Sequence, residues 1–529
     1  MSFFDAEKLQ PGSTPRPVPP AGPMDGELED IRPNRLARKL SPRQVQMIAI
    51  GGTIGTGLYL GTGEALATGG PASILLAYTI CGGIVFLTML SLGEMVAFMP
   101  VAGSRFVDDA LGFALTWNYW ANDAVSTASD IIALQVLLEY WTKHFPGWGL
   151  SLICLALVLT LNICSVRVFG EVFIIVGIAV NCGANTDQTY LGAKYFYTGD
   201  APFVGGIGGF ASVFVTASFA YGGTENVAVT AGETRDPSQT YPRVIRNVFW
   251  RILLFYVVSI IIIGLDIPYN YPGLSTESAS TSPFTIVFDK AGSTVAGSFI
   301  NAVIMTSAIS AANHVLFAGA RLLYTLAISG HTPGSRFLGH LNRYNVPWVS
   351  VLSTAAISAL CFGASKIGAG QVWSWLQNLV GVSNQISWFF ICLTSLRFRS
   401  AVRHQSLEHL LPFKNVTYPW GPALAAGLNL FLVLIQGWKS FSPRFDAAGF
   451  VSYYIEIPIM GSLFLIWKLY KKTKLVPLGD IDLETDRYQR EDNVDDRGLH
   501  VSEGCPNNGQ LRCVTWSLAF FKAVRNWMF

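Results

Sequence analysis

The sequence has few charged side chains: aspartate, glutamate, lysine and arginine together make up 13% of its 529 residues. A soluble domain usually contains about 25%, so most side chains of this chain are expected not to face water. Hydrophobic residues reach 51% and the mean hydropathy is +0.40, which predicts a membrane protein. The formal net charge of +2 identifies no partner by itself, and we expect membrane lipid rather than nucleic acid to surround the chain.

The sequence also lacks the patterns of a disulfide-stabilised protein or an enzyme. Five of its eight cysteines lie inside apolar runs, so we expect them to pack as small hydrophobic side chains. No hydrolytic motif and no cluster of metal-ligating residues occurs, which predicts a protein without catalytic residues, metal or cofactor. The five cysteines in apolar runs are Cys81, Cys154, Cys164, Cys361 and Cys392.

The first 42 residues lack the apolar core of a signal peptide, so the first membrane span is expected to act as its own insertion signal. This stretch is polar, charged and rich in proline, which is typical of a disordered arm. We predict three regions. They are a cytosolic N-terminal arm (1–42), a transmembrane transporter domain (43–470) and a cytosolic C-terminal tail (471–529).

Apolar stretches near the ~20 residues that cross a bilayer follow one another along the chain and predict an all-α polytopic membrane protein. One of the twelve is about half the required length, so the fifth span is predicted to be truncated. The stretches are Val45–Leu66, Ala72–Phe98, Ala114–Tyr140, Trp148–Val166, Val172–Val180, Gly206–Val229, Asn247–Leu265, Val295–Ala327, Pro347–Phe362, Trp375–Leu396, Tyr418–Gln436 and Phe450–Tyr470.

The distribution of lysine and arginine supports this count of spans. These residues are about three times as frequent in the segments predicted to be cytosolic as in those on the other side, as the positive-inside rule requires. The pattern holds only if the fifth stretch, or a replacement for it, crosses the membrane. Both termini are then cytosolic.

Two of the apolar stretches are interrupted by glycine and hydroxyl residues, at Met47–Leu58 and at Phe214–Glu225. Hydrocarbon cannot satisfy the backbone groups that such breaks expose, so a break persists where it lines a polar cavity. Breaks at corresponding positions of two halves point to the substrate site of a secondary transporter. The first and sixth spans carry the breaks, which predicts two inverted five-helix repeats plus two further helices.

The first break predicts a site for an α-amino acid. The N–H groups of Gly55, Thr56 and Gly57 begin a half-helix, and with the helix dipole they suit a carboxylate. The preceding half-helix ends near Thr53, where unpaired carbonyl groups suit an ammonium group. A flexible hinge or close helix packing is the alternative explanation of these glycines.

The second break and nearby polar residues extend the predicted site. Carbonyl groups around Ala220 and Gly222 suit the ammonium group, and Phe219 or Tyr221 would cover it, unless these rings are ordinary core residues. A carboxylate inside a span is functional by default, so Glu225 and Asp130 are candidates for carrying a coupling proton. Glu225 alternatively caps its half-helix. Asn313 is expected to hydrogen-bond the site, and Arg321 either reaches the membrane surface or forms a gate with Glu94.

Several motifs resemble signatures of the fungal amino acid permeases, a family of the amino acid–polyamine–organocation superfamily. The resemblance extends over about residues 40–490 and implies a LeuT-like fold of twelve spans. It also implies import of amino acids with protons across the plasma membrane. The matching motifs are Met47–Leu58, Gly93–Met95, Trp117–Trp120, Ala231–Thr234 and Pro268–Gly273.

The resemblance assigns roles to individual residues. It implies that Thr53, Thr56 and Gly57 contact the polar ends of the substrate. Phe219 would gate the site and Glu225 would couple transport to the proton. This sequence departs from the family pattern after Ser104 and, more extensively, after Val172. There the relatives have a full apolar helix with a lysine that stands in for a sodium ion in several superfamily members.

Three functions follow as hypotheses. The first is a secondary active transporter that imports amino acids across the plasma membrane, coupled to protons. The alternatives are a permease-like amino acid sensor and a transport-inactive truncated variant. A short N-terminal arm disfavours the sensor, whereas the half-length fifth span favours it. The preferred side chain stays open between neutral, basic and acidic. Expected partners are an amino acid, protons, lipid, and trafficking or ubiquitination machinery at the termini.

Overall fold

The computed structural model describes residues 55–99, 106–138, 140–141, 169–226, 228, 234, 237–274, 282–292, 294–342, 346–363, 367–441 and 444–484. The chain divides into two units, Met1–Tyr488 and Gln489–Phe529, and every described residue belongs to the first. The predicted arm (1–42) and the predicted span Trp148–Val166 lie outside the described residues.

The described part of the chain is helical and contains no β-strand, in agreement with the predicted all-α class. Short 3-10 turns join some of the α-helices. The α-helices are α1 (Thr56–Tyr59), α2 (Gly61–Phe98), α3 (Asp109–Leu138), α4 (Phe169–Asn181), α5 (Gly206–Tyr221), α6 (Pro237–Asp266), α7 (Pro283–Lys290), α8 (Thr294–Ile328), α9 (Ser335–Leu338), α10 (Trp348–Ser358), α11 (Ala369–His404), α12 (Trp420–Ile435), α13 (Ala447–Tyr454) and α14 (Glu456–Lys471).

Four described helical stretches are long and apolar enough to cross a membrane, and the pair α13–α14, bent by 44°, makes a fifth. Three shorter apolar helices accompany them. Helix α3 is longer than most but less apolar, because Asn118, Asn122, Asp123 and Asp130 lie along it; all four are buried. The four stretches are Gly61–Phe98, Val295–Ile328, Ala369–His404 and Trp420–Phe441.

Gly70 interrupts helix α2 between the first two predicted spans. Its φ of 82° is non-helical, and Pro71 follows it. A Cβ atom at this position would lie 2.6 Å from the carbonyl oxygen of Pro202, so the left-handed backbone and the close contact both require glycine. The predicted boundary between the spans that end at Leu66 and begin at Ala72 therefore coincides with a structural one.

Helix α4 lies where the sequence predicts a truncated fifth span. The described part of this helix is Phe169–Asn181, 13 residues. The helix packs against α6: a Cβ atom at Gly177 would lie 2.2 Å from Ile262. The residues that precede Phe169 lie outside the described part.

Helix α7 is not among the predicted spans, because its eight residues are too few to cross a bilayer. Ser282, which precedes it, donates a hydrogen bond of 2.7 Å to the carbonyl oxygen of Tyr59. The rings of Phe284 and Tyr59 meet edge to face, with 4.9 Å between centroids. Helix α7 thus packs against α1, next to the first predicted break.

One end of the helix bundle, which we call the basic end, carries Arg397, Arg399, Arg403, Lys468 and Lys471 at the termini of α11 and α14. The predicted gate between Glu94 and Arg321 is wrong, because Glu94 of α2 forms an ion pair with Arg399. Arg321 lies over the ring of Phe317. The actual partner of Glu94 could not be predicted from the sequence, because it lies 305 residues further along the chain.

The segment after α14 packs onto the basic end. Ile481 and Leu483 are buried in a cluster with Phe98, Phe106 and Phe398. The side chain of Gln405 donates hydrogen bonds to the carbonyl oxygens of Leu478 and Ile481, at 3.0 and 2.8 Å. The first residues of the predicted tail therefore belong to the packed bundle.

Candidate substrate-binding site

Both predicted breaks leave a helix end in the described structure. Helix α1 begins at Thr56, and the preceding Gly55 is extended, with φ −139° and ψ −155°. Helix α5 ends at Tyr221, after which Gly222 leaves the helix and Gly223 has a φ of 84°. The upstream part of the first break, including the predicted site residue Thr53, lies outside the described residues.

The two helix ends touch each other. A Cβ atom on Gly57 would lie 2.6 Å from the Cα atom of Ala220, and one on Gly55 would lie 2.9 Å from the Cβ atom of Ala311. Real Cβ atoms essentially never lie closer than 3.0 Å to another heavy atom, so a side chain at either position would force its neighbours to move. Glycine at these positions therefore lets α1 approach α5 and α8.

A narrow cavity of about 30 Å³ lies at this junction, which is too small for an amino acid unless its walls move. Helices α1, α3, α5, α8 and α11 contribute to its walls. Of the residues predicted for the site, the cavity is lined by Gly55, Thr56, Gly57, Asp130, Phe219, Ala220, Gly222 and Glu225.

Thr56 and Asp130 connect the first break to helix α3. The hydroxyl group of Thr56 donates a hydrogen bond of 2.5 Å to Oδ1 of Asp130, and both side chains are buried. The contact places a titratable group directly beside the backbone that is predicted to receive the substrate.

An amide chain connects α3, α11 and α5 on another wall. Asn122 donates a hydrogen bond of 2.6 Å to the side-chain oxygen of Asn384. Asn384 in turn donates one of 3.2 Å to the carbonyl oxygen of Ser218, in the last turn of α5. Because each amide is both donor and acceptor, the chain fixes the orientation of both side chains.

The carbonyl groups at the end of α5 already have partners within the protein. Tyr256 donates to the carbonyl oxygen of Ala220 at 2.6 Å, and the hydroxyl of Thr224 donates to that of Tyr221 at 3.1 Å. The N–H group of Gly222 donates to the carbonyl oxygen of Phe219. A carbonyl oxygen has two lone pairs, so the carbonyl groups of Phe219 and Ala220, which line the cavity, can each accept a second hydrogen bond.

Glu225 lies just beyond the second break and is buried. Its carboxylate accepts hydrogen bonds from the hydroxyl of Thr224, at 3.2 Å, and from the side chain of Trp388. These contacts hold the side chain at the cavity wall between α5 and α11. The structure thus brings Glu225 and Asp130 to one cavity from two different elements.

The remaining predicted residues lie beside the cavity or away from it. Phe219 lines it and meets Trp373 edge to face, with ring centroids 6.4 Å apart. Tyr221 faces the core instead: it stacks on Tyr256 and donates to the carbonyl oxygen of Tyr78. Helix α8 lines the cavity through Ala311 and Val315, and Asn313 is not among the lining residues.

Sequence reasoning missed several residues of the site. The structure adds Asn122, Asp123, Ser126, Gly223, Asn226, Ala311, Val315, Val380 and Asn384 to the lining. A signal was present for Asn384, because polar residues are costly inside a span and Ser383, Asn384 and Gln385 follow one another in α11.

The comparisons with known proteins agree with this architecture. Residues 44–477 match the family described as "Amino acid permease", which is most of the chain. The chain belongs to the amino acid permease family. It is therefore a multi-pass membrane permease rather than an enzyme, as the sequence motifs predicted.

Curated relatives of this permease come from fungi and bacteria. A probable amino-acid permease of Schizosaccharomyces pombe is 45% identical over 494 residues, covering 86% of this chain and 97% of the relative. A lysine-specific permease of Escherichia coli is 39% identical, with 86% and 97% covered. A basic amino-acid permease of Saccharomyces cerevisiae is 34% identical, with 91% and 90% covered.

The alignment lengths show that this permease is shorter internally than its relatives. The alignment with the S. pombe relative runs over 494 positions, which is more than 86% of 529 residues, so it includes residues of that relative with no counterpart here. This agrees with the expectation that this chain lacks segments that its relatives have.

Proposed function

We propose that this permease is a secondary active transporter that imports amino acids, together with protons, across the plasma membrane. One observation carries the proposal: two helix ends, at Thr56 and Tyr221, meet at a buried cavity that also contains Asp130 and Glu225. Helix ends supply backbone groups for the two polar ends of an α-amino acid. Buried carboxylates supply a place for the coupling proton.

The proposed architecture is a LeuT-like arrangement of two inverted five-helix repeats plus two helices, about twelve spans in all. The breaks at the first and sixth predicted spans support it, because they fall at corresponding positions of the two repeats. We assign the basic end, and with it both termini, to the cytosol by the positive-inside rule. The terminal regions 1–42 and 471–529 would then be accessible to trafficking or ubiquitination machinery.

The test is uptake of labelled amino acids by a yeast strain that lacks its own permeases and expresses this chain at the surface. Uptake at acidic pH that a protonophore abolishes is the expected result. Uptake that persists at the same rate with the protonophore would contradict proton coupling. Absence of uptake from surface-exposed protein would contradict import and leave the sensor and the transport-inactive truncated variant.

A sensor is the second candidate, and the short apolar stretch Val172–Val180 of the sequence favours it. A stretch of about half the length that crosses a bilayer would impair the movements that carry substrate across more than it impairs substrate binding. Under this hypothesis the purified protein is stabilised against heat by an amino acid while cells accumulate none. Uptake against a gradient would exclude it.

Replacing Glu225 by glutamine is expected to abolish accumulation while leaving exchange intact. One proton moved through 100 mV supplies about 2.3 kcal/mol, which corresponds to a concentration ratio of about 50. Wild-type cells should therefore accumulate a neutral substrate about 50-fold, and cells with Glu225→Gln should reach a ratio near one. Exchange of external label for preloaded substrate should continue, because it needs no net proton movement.

The matched control is Glu64→Gln. Glu64 is another carboxylate inside the bundle, hydrogen-bonded to Ser374 at 2.8 Å and to Gln377 at 3.3 Å, and it does not line the cavity. This variant should retain the wild-type accumulation ratio. Wild-type accumulation by Glu225→Gln would assign proton coupling to another group.

A further inference from the structure

One carboxylate oxygen of Asp123, in helix α3, is buried and accepts no hydrogen bond from the described residues. The side chain of Asp123 is 3% exposed, and Oδ1 accepts a hydrogen bond of 3.1 Å from the side chain of Asn226. Oδ2 is buried, and no described residue donates to it. A buried polar atom without a partner is destabilising, so the second oxygen can accept a hydrogen bond that no described residue supplies.

The residues that line the cavity favour a positively charged donor for this oxygen of Asp123. Asp123, Asp130 and Glu225 contribute three carboxyl groups, and none of the described lining residues is a lysine, arginine or histidine. The facing elements contribute Asn384 and Val380 from α11 and uncharged residues from α8. A positively charged group entering this cavity therefore meets acceptors, whereas an anionic side chain meets repulsion.

The position of Asp123 relative to the proposed amino acid site fits a long side chain. Asp130, bonded to Thr56, marks the level of the first break. Asp123 lies seven residues earlier on α3, about 10 Å away along the helix axis at 1.5 Å per residue. Ser126 lines the cavity between them. An amino acid held at the break can therefore extend its side chain along α3 towards Asp123.

We propose that the free oxygen of Asp123 binds the cationic end of the substrate's side chain, so that this permease prefers basic amino acids such as lysine and arginine. The proposal rests on the proposed transport function and names its substrate class. Asp123 acts here as a specificity-determining residue, distinct from Asp130 at the break and from Glu225 beyond the second break. Neutral amino acids lack the group that would use Oδ2, and acidic ones would oppose the three carboxyl groups.

The experiment measures uptake of labelled lysine and labelled alanine by wild-type, Asp123→Asn and Asp109→Asn proteins at matched surface levels. Asparagine keeps the size of the side chain and removes its charge. Asp109 is the matched control: it is on the same helix but at the basic end, where it accepts a hydrogen bond from Trp467.

We expect unlabelled lysine and arginine, but not glutamate, to compete with labelled lysine in wild-type cells. Asp123→Asn should raise the KM for lysine about tenfold or more, as expected for losing a hydrogen bond to a charged group. Its KM for alanine and its kcat should change little. Asp109→Asn should behave as wild type.

Two results would overturn the assignment. One is wild-type uptake of alanine or glutamate without competition by lysine. The other is an equal loss of alanine and lysine uptake in Asp123→Asn, which would indicate a structural or proton-carrying role. Heat stability of purified wild-type protein with lysine or alanine separates the two proposals. Stabilisation by lysine alone without uptake supports the binding site and contradicts import, and no stabilisation and no uptake contradicts both.

Discussion

Replacing Glu94 by glutamine is expected to lower the free energy of unfolding by up to about 3–5 kcal/mol, because it removes the buried counterion of Arg399 and leaves only the partly exposed Glu408, 3.6 Å away. Glu94 is fully buried, Arg399 is 8% exposed, and their side chains form an ion pair. The backbone N–H of Asn415 also donates to the Glu94 carboxylate. Chemical unfolding of the purified protein in detergent measures the difference from wild type.

A surface ion pair a few ångströms away supplies the control. Arg403 and Glu408 are paired at 2.8 Å, but their side chains are 55% and 43% exposed. The hydrogen bond from Arg403 lowers the pKa of the Glu408 carboxyl group, yet solvent screens such exposed pairs, so they contribute little to stability. Arg403→Ala should therefore cost far less than Glu94→Gln. Equal costs would show that the Glu94 pair has no special importance for stability.

Replacing Gly57 by alanine is expected to abolish transport, because the added methyl group would enter the backbone of α5. The Cβ atom would lie 2.6 Å from the Cα atom of Ala220, so α1 and α5 must separate at the site. Overpacking of this kind costs about 1–3 kcal/mol and shifts the two helix ends that are proposed to receive the substrate. Uptake relative to surface protein measures the effect.

Gly83 of α2 gives the matched control for this substitution. An added Cβ atom there meets nothing within 4 Å, and alanine favours helices over glycine by about 1 kcal/mol. Gly83→Ala should therefore transport as wild type and be at least as stable. Wild-type uptake by Gly57→Ala would mean that the contact between the two helix ends is not needed for transport.

The two breaks could be predicted because glycine and hydroxyl residues inside apolar stretches have few physical explanations. Gly55, Gly57 and Gly222 all line the cavity, and Gly70 marks the boundary between the first two predicted spans. In each case the signal was local, so one sequence was sufficient.

The partners of polar side chains could not be predicted. Glu94 joins Arg399 and not Arg321, because the pairing depends on which helix ends pack together and not on distance along the chain. Tyr221 was expected to be a possible lid, but its ring stacks on Tyr256 in the core. Asn313 and Val315 lie on one helix, and its rotation within the bundle brings Val315 to the cavity wall.

The sequence by itself determined that this is a helical membrane permease with interrupted helices, because hydropathy, the positions of glycine and the family motifs can all be read from the order of residues in the chain. The tertiary structure decided which of the many buried polar residues meet. It joined Thr56 to Asp130, Asn122 to Asn384 and Asp123 to Asn226 across 74, 262 and 103 residues of separation. Such pairs arise from the crossing of packed helices, and no local pattern encodes where two helices cross.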